Sequence, residues 1–426
     1  SIHDTDPVGC DGTVRPPGDK SISHRALILA ALADGESVIR DILVAEDTAS
    51  TAYALRALGN DAPPLGPEIR INGTGLRALR EPESPLDCGN SGTTVRLLAG
   101  VVAGHLLATT FTGDESLSRR PMRRIAEPLT EMGARISFDK GDGLPMTVHG
   151  GNLQHIAWTT EVASAQVKSA ILLAGLVAGV PVSVREPRAS RDHTERMLRA
   201  LGIDVTVSRD GVTKLTPGAS LDPFELTVPG DASSAAFFVA LAALATSGRV
   251  TLPGVCIDAA RTGFLRAIRR MGAKVRVSGK TEATGEETGT VIAGPGALRA
   301  TSVKPGEIPA MIDELPLLAC VATRAEGETV VPGAAELRVN ESDRIAATVD
   351  NLRALGADAE AFDDGFAVRG SDKPLWGTVR THGDHRIAMA FGVLGCVAGN
   401  EIRIDDRDCV AVSYPGFWAD LNKVTA

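Results

Sequence analysis

Six stretches of this 426-residue chain carry the residue types that hold small anions. They are 17–25 (PGDKSISHR), 86–96 (LDCGNSGTTVR), 163–169 (ASAQVKS), 229–234 (PGDASS), 307–314 (EIPAMIDE) and 381–386 (THGDHR). Five of them open an apolar run that reads as a helix, and the fifth in order lies on one. A helix start offers unpaired amide donors and a partial positive charge, so it attracts phosphate and carboxylate. Ordinary capping would need only Ser or Asp. Lys20, Arg25, Arg96 and Arg386 go beyond that need, and the planar fork of Arg suits phosphate and carboxylate oxygens.

Two acidic stretches add proton-transfer chemistry. Asp313 and Glu314 sit among Met311, Ile312, Leu315 and Leu317, and Glu341 lies in 336–344 (ELRVNESDR). A carboxylate near apolar walls and bound anions is suited to general acid–base work. Structural pairing with Arg338 and Arg344 is the plainer alternative. Other chemistries lack their residues. Residues 18–21 do not form the Gly-x-x-x-x-Gly-Lys-Ser/Thr loop of a nucleotide kinase. No Cys or carboxylate cluster completes a metal site around His382 and His385. The stretch 191–195 (RDHTE) reads equally well as a capped, salt-bridged helix start.

The elements behind these stretches repeat. A helix end, a Gly and then a strand recur at 54–60, 129–136, 197–205, 267–275 and 351–357, with Gly59, Gly133, Gly202, Gly272 and Gly356 spaced about 70 to 85 residues apart. That spacing divides the chain into about six units, the last ending in a C-terminal helix. A second, more apolar helix accompanies each unit, predicted at 21–33, 93–104, 164–178, 232–246, 308–322 and 386–398. Strands are expected at 182–185 and 249–252. One buried and one amphipathic helix per unit, with short strands, indicates an α/β architecture of helices packed on sheets.

Composition narrows the function. A net charge of −9 argues against a nucleic-acid or acidic-membrane surface, and 4% aromatics are too few for base stacking. The apolar runs are shorter than the roughly 18 residues of a membrane span. Six cysteines without a CxxC pair fit buried thiols in a reducing compartment. No signal peptide is apparent, so a soluble cytoplasmic protein is expected.

The same motifs, in order from Arg15 to Pro415, resemble those of the 3-phosphoshikimate 1-carboxyvinyltransferase (5-enolpyruvylshikimate-3-phosphate synthase) family. The forms GDKSISHR, SAQVKSA and RDHTE resemble its second sequence class, in which glyphosate-tolerant members occur. The resemblance implies an inside-out α/β barrel of two domains, each of three βαβαββ units with buried parallel helices. It places one domain at 20–228, the other at 1–19 plus 229–426, and hinge crossings near 16–20 and 228–233. It implies transfer of the enolpyruvyl group of phosphoenolpyruvate to the 5-hydroxyl of shikimate 3-phosphate, with release of phosphate and no metal or organic cofactor. The small-molecule substrates would be the only partners of what is expected to be a monomer. Glyphosate would be an inhibitor at the phosphoenolpyruvate site.

Carried over by motif, the resemblance assigns Lys20 to both substrates. Ser21, Arg25, Ser164, Ala165, Gln166, Arg191, Asp313 and Asn340 fall to shikimate 3-phosphate. Asn90, Gly92, Arg120, Gln166, Arg344 and Arg386 fall to phosphoenolpyruvate. Lys20, Asp313 and Glu341 would be catalytic, Asp313 as base on the 5-hydroxyl and Glu341 as acid and base at C3. The chain departs from the family at Asn340, where Lys is usual, and Val412 stands where first-class members carry a Lys. A UDP-N-acetylglucosamine enolpyruvyl transferase is the nearest alternative, but 113–124 (GDESLSRRPMRR) lacks the cysteine that enzyme uses. An inactive binding scaffold of the same fold is the other.

Overall fold

The computed structural model describes residues 9–425. In chain order the helices are α1 (Lys20–Leu32), α2 (Glu46–Ala57), α3 (Gly92–Ala103), α4 (Glu115–Arg119), α5 (Arg123–Met132), α6 (Ala165–Ala178) and α7 (His193–Ala200). They continue with α8 (Ala232–Leu244), α9 (Gly263–Arg270), α10 (Leu315–Ala322), α11 (Arg344–Ala354), α12 (His385–Leu394) and α13 (Phe417–Thr425).

Five of the six apolar helices begin at a side-chain cap. Asp19, Ser91, Ser164, Asp231 and Asp384 accept the amides of Ile22, Thr94, Val167, Ser234 and Arg386, each satisfying a donor that has no partner inside the helix. The fifth run differs from the expected helix over 308–322. Two 3-10 turns, Pro305–Ala310 and Ile312–Glu314, come first, and α10 starts only at Leu315. Pro309 has no amide to continue a helix, whereas Pro316 fits a first turn. Asp313 therefore stands in a turn before the helix, not on it. Near the C-terminus α12 stops at Leu394, short of the expected 398.

The five repeat glycines all have positive φ, from 86° at Gly202 to 123° at Gly133, a region closed to most side chains. Each follows α2, α5, α7, α9 or α11 within two residues. After four of them a strand comes at once. After Gly59 the strand waits until Glu68–Thr74, because Pro63, Pro64 and Pro67 supply no ladder donors.

The chain divides into two compact units. One holds Gly18–Pro229 together with Glu282–Glu286. The other holds the described residues up to Pro17, then Gly230–Thr281 and everything from Glu287.

In the Gly18–Pro229 unit the predicted unit pattern can be followed strand by strand. Leu86–Asp87 runs parallel to Ala108–Thr112, which pairs antiparallel with Met146–His149 and through it with Arg135–Phe138. Helices α3 and α5 fall between these strands, giving βαβαββ. Ile156–Thr159, Val182–Arg185, Asp204–Val207 and Val212–Thr216 repeat it around α6 and α7. A third sheet joins Asp34–Arg40 to Glu68–Thr74 and, in parallel, to the distant Glu225–Thr227. The apolar α1, α3 and α6 form the interior, α3 packing on both of the others. Gly100 makes the α3–α6 approach possible, since a Cβ there would lie 2.3 Å from the Ala170 carbonyl oxygen.

The second unit repeats the scheme. Gly9–Thr13 runs parallel to Ser247–Cys256, which pairs antiparallel with Glu286–Gly294. Glu328–Val331, Gly365–Arg369 and Asp358–Phe362 form a second sheet, and Trp376–Val379 pairs parallel with Glu401–Ile404. Helices α8, α10 and α12 pack on one another inside it, in a core that includes Phe237, Phe238, Phe391 and Phe417. Among the described residues no helix is long and apolar enough to cross a membrane.

Candidate active site

Chemistry-bearing side chains gather in each unit at helix starts, those of apolar helices and also those of α7 and α11. In the Gly18–Pro229 unit, α1 begins with Lys20, whose Nζ lies 3.2 Å from Oδ2 of the buried Asp47 on α2. Ser21 follows, and one turn on comes Arg25, buried and spread over three partners. Its Nε donates to Thr194 Oγ1 at 2.7 Å, Nη2 to Ser169 Oγ at 3.0 Å and Nη1 to the Ser21 carbonyl at 3.1 Å. Burial pushes the Arg25 guanidinium down to about 10, against the pull of the Glu195 and Asp19 charges.

At the start of α3 a second group converges. Arg120 Nη2 donates to both the carbonyl and Oδ1 of Asn90 at 2.9 Å, while Asn90 Nδ2 donates to Asp114. Gly92 leaves the space in front of two guanidinium groups, for a Cβ there would stand 2.8 Å from Arg96 Nη1 and 2.9 Å from Arg120 Nη1. Arg96 Nη1 donates to Gln166 Oε1 at 2.6 Å, and Gln166 Nε2 donates to Thr93 Oγ1 at 2.9 Å. Gln166 on α6 is thereby held against α3. Ser164 caps α6, Ala165 is its first residue, and the half-buried Arg191 precedes α7.

The stretch 191–195 is not a simple capped helix start. Asp192 makes no side-chain cap and accepts Arg196 Nε instead, while His193, Thr194 and Glu195 turn inward. Glu195 meets Lys168 Nζ at 2.9 Å, and the same ammonium lies 2.9 Å from Glu186. Burial works against the charge on Lys168, but the two carboxylates hold its pKa above the ordinary value.

In the other unit the centre is Arg344, the first residue of α11 and 1% exposed. Three carboxylates surround its guanidinium: Asp384 at 2.9 Å from Nε, Glu341 at 2.6 Å from Nη2 and Asp313 at 3.2 Å from Nη1. Burial alone would favour the neutral form, yet the charges of Asp384 and Glu341 lift its pKa above the ordinary value. Arg386 is buried at the start of α12 and makes no side-chain hydrogen bond among the described residues. Asn340 is half-buried in the turn between Ala335–Val339 and α11, likewise without one. The structural pairing weighed from the sequence is present in these same contacts, since Asp313 and Glu341 both pair with Arg344, while Arg338 pairs with Asp343 at 2.9 Å. His382 is exposed and His385 buried against Ser413, so the two rings face different surroundings.

Sequence reading overlooked several supports of these groups. Thr93, Ser169 and Thr194 lie inside the quoted motifs, but nothing in their spacing tells which cation they hold. Asp384 was seen as a helix start and not as the partner of Arg344.

Two units of βαβαββ character, with cations and carboxylates gathered at helix starts, define a transferase of small anionic substrates in the enolpyruvyl-transferase fold. Comparison with known proteins agrees. Residues 5–421 match the family EPSP synthase (3-phosphoshikimate 1-carboxyvinyltransferase), and the chain belongs to that family. It is 47% identical to the 3-phosphoshikimate 1-carboxyvinyltransferase of Sulfurihydrogenibium sp. (strain YO3AOP1) and 42% identical to that of Bacillus subtilis (strain 168), over 97% of both chains each time. The structure of EPSP synthase from Acinetobacter baumannii is similar with a TM-score of 0.84 and 40% identity, over 98% of this chain and 96% of that one. The enolpyruvyl transferase NikO from Streptomyces tendae, 20% identical over 99% and 96% of the chains, shares the fold with a TM-score of 0.78. These likenesses favour the EPSP synthase reading over the UDP-N-acetylglucosamine alternative.

Proposed function

We propose that the side chains described above carry out the family's reaction, transfer of the enolpyruvyl group of phosphoenolpyruvate to the 5-hydroxyl of shikimate 3-phosphate. Lys20, Ser21, Arg25, Ser164, Ala165, Gln166, Arg191, Asp313 and Asn340 bind shikimate 3-phosphate. Asn90, Gly92, Arg120 and Gln166 receive phosphoenolpyruvate, with Arg344 and Arg386. Lys20 serves both substrates.

The chemistry needs one proton removed and one delivered. Asp313 takes the proton of the 5-hydroxyl as its oxygen attacks C2 of the enolpyruvyl group, and Glu341, with Lys20, protonates C3. The resulting tetrahedral intermediate loses phosphate as Glu341 takes a proton back from C3, restoring the double bond. The observation that carries this reading is the convergence of Asp313 and Glu341 on Arg344. A shared guanidinium fixes both carboxylates in place, which proton transfer requires of an acid and a base.

The reading also makes the chain a cytoplasmic monomer, supported for the compartment by six free cysteines. Phosphate release from the two substrates together, and from neither alone, is the test. Binding of both substrates without phosphate release would leave the inactive-scaffold reading standing. Asn340→Lys, which restores a cation the family usually has there, is expected to lower the KM for shikimate 3-phosphate.

A further inference from the structure

We propose that Thr194 and Ser169 are positioning residues that aim the charge of Arg25 at its anionic ligand. The inference rests on the assignment of Arg25 to shikimate 3-phosphate made above. Arg25 has five N–H donors, and three are spent on Thr194 Oγ1, Ser169 Oγ and the Ser21 carbonyl. One hydrogen on each terminal nitrogen is left for an acceptor outside these contacts. The two hydroxyls also bond each other at 2.7 Å, closing a ring of three side chains in which every oxygen is oriented by a neighbour.

The choice of partners matters as much as the geometry. Arg344 is oriented by three carboxylates, each of them charged. The side-chain partners of Arg25 are neutral hydroxyls, which restrain the fork and leave its positive charge for a ligand. A restrained cation also loses less rotamer freedom on binding.

The hydroxyls are themselves fixed from behind. Ser169 follows Lys168 on α6, and Thr194 precedes Glu195 on α7. The Lys168–Glu195 ion pair, 3% and 2% exposed, ties these two helix starts together one residue from the hydroxyl pair. Lys168 also pairs with Glu186, so rotation of its ammonium is checked from two sides. The arrangement makes the stretches 163–169 and 191–195 parts of one support for Arg25.

Steady-state kinetics with both substrates, run beside thermal melting, test this on Arg25→Ala, Thr194→Val, Thr194→Ser and Ser169→Ala. Thr194→Val should raise the KM for shikimate 3-phosphate about tenfold while kcat and the KM for phosphoenolpyruvate stay within about twofold. Thr194→Ser, which keeps the hydroxyl, should restore the KM, and Ser169→Ala should raise it in the same selective way. A normal KM for shikimate 3-phosphate in both Thr194→Val and Ser169→Ala, with Arg25→Ala impaired, overturns the positioning role. So does an equal rise in both KM values together with a lowered melting temperature. If Arg25→Ala itself leaves that KM untouched, the assignment of Arg25 has failed, and the inference falls with it.

Discussion

Asp384 grips Arg344 with both carboxylate oxygens, Oδ2 2.9 Å from Nε and Oδ1 3.2 Å from Nη2, and both side chains are buried. The same carboxylate accepts the amide of Arg386 at 2.9 Å and the hydroxyl of Ser342 at 2.7 Å. One side chain thus caps α12 and sets the orientation of the cation that heads α11. Breaking an isolated buried pair costs about 3–5 kcal/mol, but Glu341 and Asp313 stay on the Arg344 guanidinium when Asp384 is removed, so the loss here is at the low end, about 3 kcal/mol or less. Asp384→Ala should therefore lower the unfolding free energy by about that amount in chemical denaturation. Asp384→Asn should lose less, since its amide oxygen still accepts. A wild-type denaturation curve for Asp384→Ala would contradict the central place given to this pair.

Removal of the charge on Asp313 or Glu341 separates catalysis from binding. Asp313→Asn and Glu341→Gln keep the shape of each side chain and should cut kcat by about 10²–10⁴-fold. The dissociation constant for shikimate 3-phosphate, measured by calorimetry, should change much less. Equal losses in affinity and turnover would mean that these carboxylates hold substrate without moving its protons.

Gly92 tests the size of the phosphoenolpyruvate site. A methyl group there presses on the ends of Arg96 and Arg120, which are flexible and can yield, so Gly92→Ala should fold. An added methyl in a close-fitting site shifts affinity by roughly tenfold or more. The inhibition constant for glyphosate is expected to rise at least that far, and the KM for phosphoenolpyruvate to rise with it. Identical inhibition of wild type and Gly92→Ala would remove the steric account.

His24 should make folding pH-dependent. Its Nδ1 lies 2.7 Å from Thr51 Oγ1, which lies 2.7 Å from Thr94 Oγ1, and Thr94 donates to Ser91 at 2.7 Å, the cap of α3. Burial, then the charges of Lys20 and Arg25, hold the imidazole well below its ordinary pKa, with Asp19 opposing. Below about pH 6.5 the unfolded ring takes a proton that the folded ring does not, so stability falls as pH falls, by up to about 1.4 kcal/mol per unit. His105, lowered chiefly by burial, adds in the same direction. Denaturation midpoints from pH 7.5 to 5 should therefore decline, and less steeply in His24→Gln. An unchanged slope in that variant would show that His24 is protonated in the folded state.

Local features of the chain were legible before any fold was known. The capping residues Asp19, Ser91, Ser164, Asp231 and Asp384 stand beside the helices they start, and the five turn glycines follow the helices they end. Such features act within one turn, so spacing along the chain reveals them. The family resemblance was legible for the same reason, as its motifs are short runs. The fifth buried helix was misread because two prolines inside one apolar run have opposite effects, breaking at Pro309 and starting at Pro316.

The sequence by itself determined where five of the six apolar helices begin, which glycines end the amphipathic ones, and which family's motifs they carry. Only the tertiary structure decided which side chains share a guanidinium. Arg25 and Thr194 are 169 positions apart, Arg344 and Asp384 are 40 apart, and Gly9–Thr13 pairs with Ser247–Cys256. These partners meet because packed helices and sheets bring them there. No periodicity records such a meeting, since a hydrogen bond across a core depends on the path of the chain between its ends.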